Sequence, residues 1–307
     1  MLLATGKRVS LLSCAALLAC ASAASAITIY APDNLGTTNS GSIGDRIIRF
    51  DSANPVGTVV VIGSAGAAAQ NRGLSGMDFA GNGTLYAVSG FNSDGTAFGG
   101  SQLFSISTVN GAATLIGNCG LPAGYAATDL SWNPTTGQMQ MIAANGTANP
   151  GQLYTVSLAT GAAALVGNIN LAGSLDIGLA TSSTGQNYLH DIVTDRMYTL
   201  TGLVATPMAA TIGFDTNFSQ GMTINWSGAN EWFLGSLNGA TLASQVWSMN
   251  LATGGTSALL GTWPTNVANG LPQYETGDLA IPPVVPEPAS IGLLGISLGA
   301  MAARRRR

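Results

Sequence analysis

The sequence predicts an all-β fold: a β-propeller of five four-stranded blades, closed by pairing of the N- and C-terminal strands. Charged residues make up only 8% of the chain, and 41 of its 307 residues are glycine. This composition suits short strands and tight turns better than amphipathic helices with charged faces. One hairpin pattern also recurs, at intervals of 50 residues from Leu103 to Leu153 and 44 from Leu153 to Met197. Units of this length are typical of propeller blades.

The recurring hairpin joins two short strands through a polar turn. Its clearest copy is QLYTVSLATGAAALVGN at residues 152–168. The other copies are residues 45–64, 102–118, 195–214 and 245–262. Five copies predict the outer halves of five blades.

A second set of strand pairs lies between these hairpins. Each pair has an apolar strand, a polar turn and a second strand rich in Tyr, Trp, Met or Val. The pairs are residues 76–90, 128–144, 175–193 and 221–237. Asn82-Gly83 is a hairpin-turn dipeptide, because both central residues of a type I′ turn need positive φ. Each pair followed by a hairpin predicts a blade whose first strand is innermost.

The two ends of the body complete the ring. Residues 27–31 look like a second strand without a first, and residues 275–281 look like a first strand without a second. Pairing these segments gives a fifth blade and removes exposed sheet edges. We therefore predict a single propeller domain at residues 27–282. Short sequence motifs of this domain resemble those of uncharacterised secreted bacterial β-propeller domains; they lie at residues 48–57, 76–79, 83–88 and 153–167. The resemblance implies the fold and no activity.

Residues 1–26 have the pattern of a secretory signal peptide. Lys7 and Arg8 precede an apolar stretch, and Ala24 and Ala26 form a small-x-small site for signal peptidase. The alternative is a lipoprotein signal in which Cys20 is acylated.

Residues 283–307 combine three features of a sorting signal. Pro286, Glu287 and Pro288 precede the apolar residues 291–303, and four arginines follow: Arg304, Arg305, Arg306 and Arg307. As a helix, residues 289–303 would span about 22 Å, short of the ~30 Å hydrocarbon core, and the arginines would hold their end in the cytoplasm.

This end resembles the PEP-CTERM signal of Gram-negative bacteria that make exopolysaccharide. The resemblance implies recognition by an exosortase, transient anchoring in the inner membrane and delivery to the cell surface. An ordinary tail anchor is the alternative.

The charge of the body excludes one class of partner. Residues 27–285 carry thirteen acidic and four basic residues, whereas a nucleic-acid-binding protein needs a basic face. Cys119 is the single cysteine of the body, so no intrachain disulfide is expected there.

Four aspartates on predicted inner strands are candidate metal ligands: Asp78, Asp129, Asp176 and Asp278. Carboxylates that meet at one channel mouth, without His or Cys, would favour Ca²⁺ over a transition metal. The alternative is that each carboxylate accepts backbone N–H groups of neighbouring blades.

Two further interpretations concern sugars. A polysaccharide hydrolase would need paired carboxylates in the channel, for which the candidates are Glu231, Glu275, Asp129 and Asp278. A binding protein would instead stack exposed aromatic residues on sugar rings. Trp132 and Trp226 occupy matching positions, for which packing between blades is the alternative. His190, the single histidine, is expected to be a structural strand residue. We expect a non-enzymatic surface or matrix propeller that binds a glycan, with the hydrolase as the alternative.

Overall fold

The computed structural model describes residues 26–34, 45–66, 72–92, 100–145, 150–226, 231–265 and 273–283. The predicted signal peptide, apart from Ala26, and the predicted C-terminal helix lie outside these ranges. Within these ranges no helix is long and apolar enough to cross a membrane.

The described chain forms five antiparallel sheets arranged as the blades of a propeller, which confirms the predicted fold. Blade 1 contains β1 (Thr28–Asp33), β2 (Arg46–Asp51) and β3 (Val60–Ser64), with α1 (Pro55–Thr58) between the last two. Blade 2 contains β4 (Arg72–Phe79), β5 (Leu85–Asn92), β6 (Gln102–Ile106) and β7 (Ala113–Asn118). Blade 3 contains β8 (Tyr125–Asn133), β9 (Gln138–Asn145), β10 (Gln152–Val156) and β11 (Ala163–Asn168). Blade 4 contains β12 (Asp176–Thr181), β13 (Asn187–Asp191), β14 (Arg196–Thr201) and β15 (Val204–Thr211). Blade 5 contains β16 (Thr216–Ile224), β17 (Trp232–Asn238), β18 (Ala243–Met249) and β19 (Thr256–Thr262).

The C-terminal segment closes the ring on the N-terminal strand. The backbones of Tyr30 and Ala280 exchange two N–H···O bonds of 2.8 Å, and a second bridge joins Asp33 to Thr276. Residues 276–280 are therefore the innermost segment of blade 1. This pairing is the closure that the sequence predicted.

The inner strands run parallel to one another around the axis. The Ser75 hydroxyl donates to the Ala127 carbonyl at 2.7 Å, and the Thr128 hydroxyl donates to the Asp176 carbonyl at 2.9 Å. All inner strands therefore begin at one face of the ring and end at the other. We call the face where they end the pocket face and the other the opposite face.

Glycines allow the inner strands to approach closely. A Cβ atom added to Gly76 would lie 2.5 Å from the Cα atom of Asp129, and one added to Gly221 would lie 2.0 Å from the Cα atom of Asp278. Real Cβ contacts are essentially never this short. The backbones consequently fill the centre of the ring at this level.

The core is divided among the contacts between blades. One buried apolar cluster lies at each of the five blade junctions in the described chain. Between blades 1 and 2, for example, Tyr30 packs edge-on against Phe79 with ring centroids 5.4 Å apart. Burial of apolar surface at each junction stabilises the ring as a whole, because no blade can bury its faces alone.

A side chain just before the third strand of a blade often holds the next blade. The Asp45 carboxylate accepts the Leu74 N–H at 2.5 Å, and the Ser101 hydroxyl accepts the Ala127 N–H at 3.0 Å. Asp195 accepts the Thr216 N–H at 2.8 Å in the same way. We call these contacts the blade latches.

Candidate functional site

Two carboxyl groups meet at the axis of the ring. Asp129 projects from β8 and Asp278 from the closing segment, and both side chains are fully buried. Their carboxyl groups hydrogen-bond to each other. The pair joins blade 3 to the strand that closes blade 1.

Each of these carboxyl groups also binds two backbone N–H groups. Asp129 accepts from Leu130 on its own strand at 2.6 Å and from Leu179 of the next blade at 2.5 Å. Asp278 accepts from Leu279 at 2.7 Å and from Met77 of blade 2. The two aspartates are thus crosslinks between inner strands.

Burial raises the pKa of both Asp129 and Asp278 well above the usual value of 3.8, and for Asp129 the adjacent Asp278 adds to the effect. Two carboxylates in contact cannot both ionise in a dry site, so the pair retains a proton. This state lets one carboxyl donate to the other. The arrangement is chemically a proton-sharing pair, and neither aspartate lines the pocket on the pocket face.

A pocket opens at the end of the inner strands, on the pocket face. Together with the open solvent at its mouth, its empty space is about 390 Å³, and residues from all five blades line it. The polar lining consists of Asp78, Ser131, Thr181, Thr223, Asn225 and the indole of Trp226. Ile281, Pro282 and Pro283 of the closing segment form another part of the wall.

Asp78 is the acidic group of this pocket. One carboxylate oxygen accepts the Phe79 N–H at 2.8 Å and the other accepts the Trp132 N–H at 2.7 Å. Burial raises the pKa of Asp78 to about 7, although these N–H groups oppose the shift. Asp78 therefore changes its protonation state near neutral pH.

A chain of hydroxyl groups extends from Asp78 into blade 4. Ser131 hydrogen-bonds to Asp78 and donates to the Thr181 hydroxyl at 2.9 Å. The Thr181 hydroxyl in turn donates to the Asn187 side-chain oxygen at 2.8 Å. Trp226 is oriented by its indole N–H, which donates to the Thr181 carbonyl at 2.8 Å. The polar wall of the pocket is consequently held by interlocked contacts between blades.

The four predicted aspartates occupy three different places. Asp129 and Asp278 lie at the axis, Asp78 lies nearer the pocket face, and Asp176 lies where β12 begins, beside Gly151. Burial, and then the nearby Asp191, raise the pKa of Asp176 to about 7.

Among the described residues, no three or more His, Cys, Asp or Glu side chains are arranged to hold a metal ion. The axial carboxyls already accept backbone N–H groups and share a proton.

The two glutamates lie at opposite ends of the inner strands. Glu231 immediately precedes β17, and its carboxylate accepts from the amide of the pocket residue Asn225 at 3.2 Å. Glu275 immediately precedes the closing segment, where its N–H donates to Asp33 at 3.0 Å. The structure thus brings Glu231 next to the pocket and places Glu275 on the opposite face.

Three other residues considered in the sequence analysis, His190, Cys119 and Trp132, have the contacts of structural residues. His190 is fully buried in β13, its Nε2 atom lies 3.2 Å from the Thr216 hydroxyl, and burial lowers its pKa to about 4. Cys119 is buried, and burial raises the pKa of its thiol to about 12. Trp132 packs over Gly81 on the turn of blade 2.

The comparison with protein families gives one match, at the C-terminus. Residues 284–307 match the PEP-CTERM protein-sorting motif. This match confirms the signal predicted from Pro286 to Arg307 and implies export, processing by an exosortase and sorting to the cell surface. No curated protein sequence matches the chain.

Among three similar solved structures, the first has a TM-score that supports the propeller fold. A chain of the nidogen/laminin complex superimposes with a TM-score of 0.50 at 12% identity, covering 84% of this chain and 98% of that one. An exo-β-1,3-galactanase from Phanerochaete chrysosporium gives 0.44 at 16% identity, covering 60% of this chain and 48% of that one. A calcium-binding regucalcin from Agrobacterium tumefaciens gives 0.40 at 15% identity, covering 70% and 66%. At these identities the similarity concerns the fold alone.

Proposed function

We propose that this exported propeller is a non-enzymatic binding protein of the cell surface or extracellular matrix, and that it holds a neutral glycan at the pocket face. The observation that carries the proposal is the pocket itself, which all five blades line and whose polar groups are hydroxyls, an amide, an indole and the Asp78 carboxyl. Because each wall belongs to a different blade, the ring orients these groups rigidly.

The chemistry of the pocket suits a sugar residue without charge. The Trp226 indole offers an apolar surface for the C–H face of a sugar ring. Hydroxyl and amide groups of Ser131, Thr181 and Asn225 line the same pocket, and such groups exchange hydrogen bonds with sugar hydroxyls. Protonated Asp78 adds a donor without a charge, since its pKa is about 7. An anionic sugar would meet the ionised form of Asp78 above that pH.

The sorting motif gives the setting of this role. We propose that signal peptidase cuts after Ala26, that residues 289–303 anchor the chain briefly in the inner membrane, and that exosortase cuts near Pro286, Glu287 and Pro288. The divisions 1–26, 27–282 and 283–307 follow from these steps. The surface of an exopolysaccharide-producing, biofilm-forming Gram-negative cell would then supply the glycan.

A glycan array with the exported protein tests the binding role. We expect retention of neutral polysaccharides, and a loss of affinity of about two- to tenfold for Trp226→Ala, because a stacked aromatic ring contributes about 0.5–1.5 kcal/mol of binding. Val193→Ala is the control, since Val193 is exposed on the opposite face. Equal binding by both variants, or no retention of any polysaccharide made by the producing cell, would refute the proposal.

A polysaccharide hydrolase remains the second candidate, supported by one observation. Asp78, with its pKa near 7, is suited to a general acid, and Glu231 lies one hydrogen bond from the same pocket through Asn225. This assignment replaces the predicted pairs that involve Glu275 or the axial aspartates. Reducing-sugar release from cell-derived polysaccharide, abolished by Asp78→Asn, would favour it. The hydrolase is excluded if the protein binds the polysaccharide without releasing reducing sugar. It is also excluded if the Asp78→Asn variant releases reducing sugar at the same rate.

A further inference from the structure

The sorting tail leaves the ring at the pocket. Pro283, the last residue of the closing segment that the structure describes, lines the pocket wall. Pro286 follows three residues later, and three residues span at most about 10 Å when fully extended. The apolar residues begin at Ile291, which lies within about 27 Å of Pro283 by the same measure.

These lengths restrict how the ring can sit above a membrane. The axis of the ring is closed by the inner-strand contacts at Gly76 and Gly221 and by the axial carboxyl pair, so the tail must pass over the surface. Inner strands such as β8 have nine residues, or about 30 Å, and four strands spaced about 4.8 Å apart place the rim nearly 20 Å from the axis. A path from the pocket around the rim to the opposite face therefore needs close to 50 Å, about twice what the tail allows.

The pocket face also has few charges to desolvate against a surface. Eight turns on this face contain no Asp, Glu, Lys or Arg: residues 52–59, 80–84, 107–112, 134–137, 157–162, 182–186, 202–203 and 250–255. The ninth turn, which joins β16 to β17, carries Glu231, and Asp78 lies in the pocket of the same face. The Ser, Thr, Asn and Gly residues of the eight uncharged turns can contact a polar headgroup layer without removing water from an ionised side chain.

From the tether length and the turn composition we propose that the pocket face lies against the headgroup surface of the inner membrane while the sorting tail is intact. This inference rests on the proposed transient anchoring by residues 289–303. The opposite face, which contains Asp195, Asp215 and Glu275, then points away from the membrane. The glycan pocket is covered until the tail is cut.

Two exposed valines make a matched pair of reporters. Val109 is 88% exposed in the β6–β7 turn of the pocket face, and Val193 is 60% exposed in the β13–β14 turn of the opposite face. Each is replaced by Cys and labelled with a fluorophore in the chain of residues 27–307, which lacks the leader cysteines. Cys119 does not compete, because it is buried and burial raises its pKa to about 12.

The labelled proteins are reconstituted into vesicles of phosphatidylethanolamine and phosphatidylglycerol that carry a headgroup quencher. We expect strong quenching of the Val109→Cys label and at least threefold weaker quenching of the Val193→Cys label. Release of the ring by proteolysis of the tail should remove the difference. Equal quenching, or stronger quenching at position 193, would overturn the proposed orientation.

Flotation of the same samples separates the two proposals. Protein that fails to float with the vesicles contradicts the anchoring, and the orientation falls with it. Protein that floats without a difference between the two labels contradicts the orientation alone. A glycan-binding assay on the released ring reports on the pocket independently of both results.

Discussion

Asp129 and Asp278 share a hydrogen bond at the axis of the ring, one from the third blade and the other from the segment that closes the first. Each also accepts a backbone N–H from a neighbouring blade. Through these contacts the closing segment, which completes blade 1, is also bonded to blades 2 and 3.

This pair should make the ring less stable in alkaline solution. Its folded pKa values are raised above 3.8, so the folded state holds a proton that the unfolded chain releases. The free energy of unfolding should therefore be highest below about pH 4 for this pair and fall as pH rises through the folded pKa values, by up to about 1.4 kcal/mol per pH unit for each proton. Denaturant titrations across pH measure the slope.

The Asp129→Asn variant should flatten that slope, because it removes one titrating carboxyl from the pair. Its NH2 group also replaces one of the two oxygens that accept the Leu130 and Leu179 N–H groups, so some stability is lost at every pH. Asp45, Asp78 and Asp176 have pKa values raised to about 8, 7 and 7, so part of the slope should persist. Asp215→Asn, at an exposed side chain, is the control. An unaltered slope in Asp129→Asn would mean that the axial pair is ionised in the folded ring.

His190 should act in the opposite direction. Burial lowers its folded pKa to about 4 from 6.5, so the unfolded chain binds the proton first as pH falls. The stabilisation from His190 is complete above about pH 6.5 and is lost as pH falls towards 4, amounting to about 3 kcal/mol. His190→Gln keeps a donor for Thr216 and should remove this acid dependence in denaturant titrations. The same dependence in both proteins would assign it to other groups.

Gly221→Ala should prevent normal closure of the ring. The new methyl group would lie 2.0 Å from the Cα atom of Asp278, so the inner strands would have to separate at a cost of about 3 kcal/mol or more. Gly137→Ala is the control, since its turn has nothing within 4 Å and only the positive φ of 64° opposes it, at about 1 kcal/mol. Chemical denaturation compares the two, and similar costs would contradict the close packing of the inner strands.

The blade latch at Asp45 should accept serine but not alanine. Asp45 accepts the Leu74 N–H, and Ser101 performs the same task for Ala127. Asp45→Ala leaves a buried N–H unpaired and should cost about 1–3 kcal/mol. Asp45→Ser should recover most of that loss, and amide hydrogen exchange at Leu74 should be slower in it than in Asp45→Ala. Equal exchange in the two variants would show that the latch is unimportant.

The blades and the ring closure were predictable because the sequence repeats them. Each hairpin copy carries its own turn chemistry, as at Gly83, Gly111 and Gly161, where φ is 80°, 75° and 78°. The ring closure was predictable because residues 27–31 and 275–281 each lacked a partner strand in the repeat pattern, so each could only pair with the other.

The positions of the aspartates were not predictable in the same way. Asp129 and Asp176 were both expected on inner strands, with carboxylates that could meet at one channel mouth, but the register shifts between Ala127 and Asp129 and between Asp176 and Gly178. A bulge adds a residue to one strand and changes which side chains face the axis. Short irregularities of this kind leave no pattern in a single sequence.

The polar pocket residues were missed for a different reason. Ser131, Thr181 and Asn225 are ordinary strand or turn residues when each is taken alone. Only the parallel arrangement of inner strands brings them together, and their sequence separation hides that relation. Asp78 and Trp226 are the residues of this lining that the sequence had singled out.

The closure of blade 1 also sets an order of events during secretion. β1 emerges from the translocation machinery first, yet its inner partner at residues 276–280 emerges only after every other blade. The sorting motif follows within a few residues of that partner. A chain truncated before residue 276 therefore lacks both the strand that completes the ring and the sorting motif.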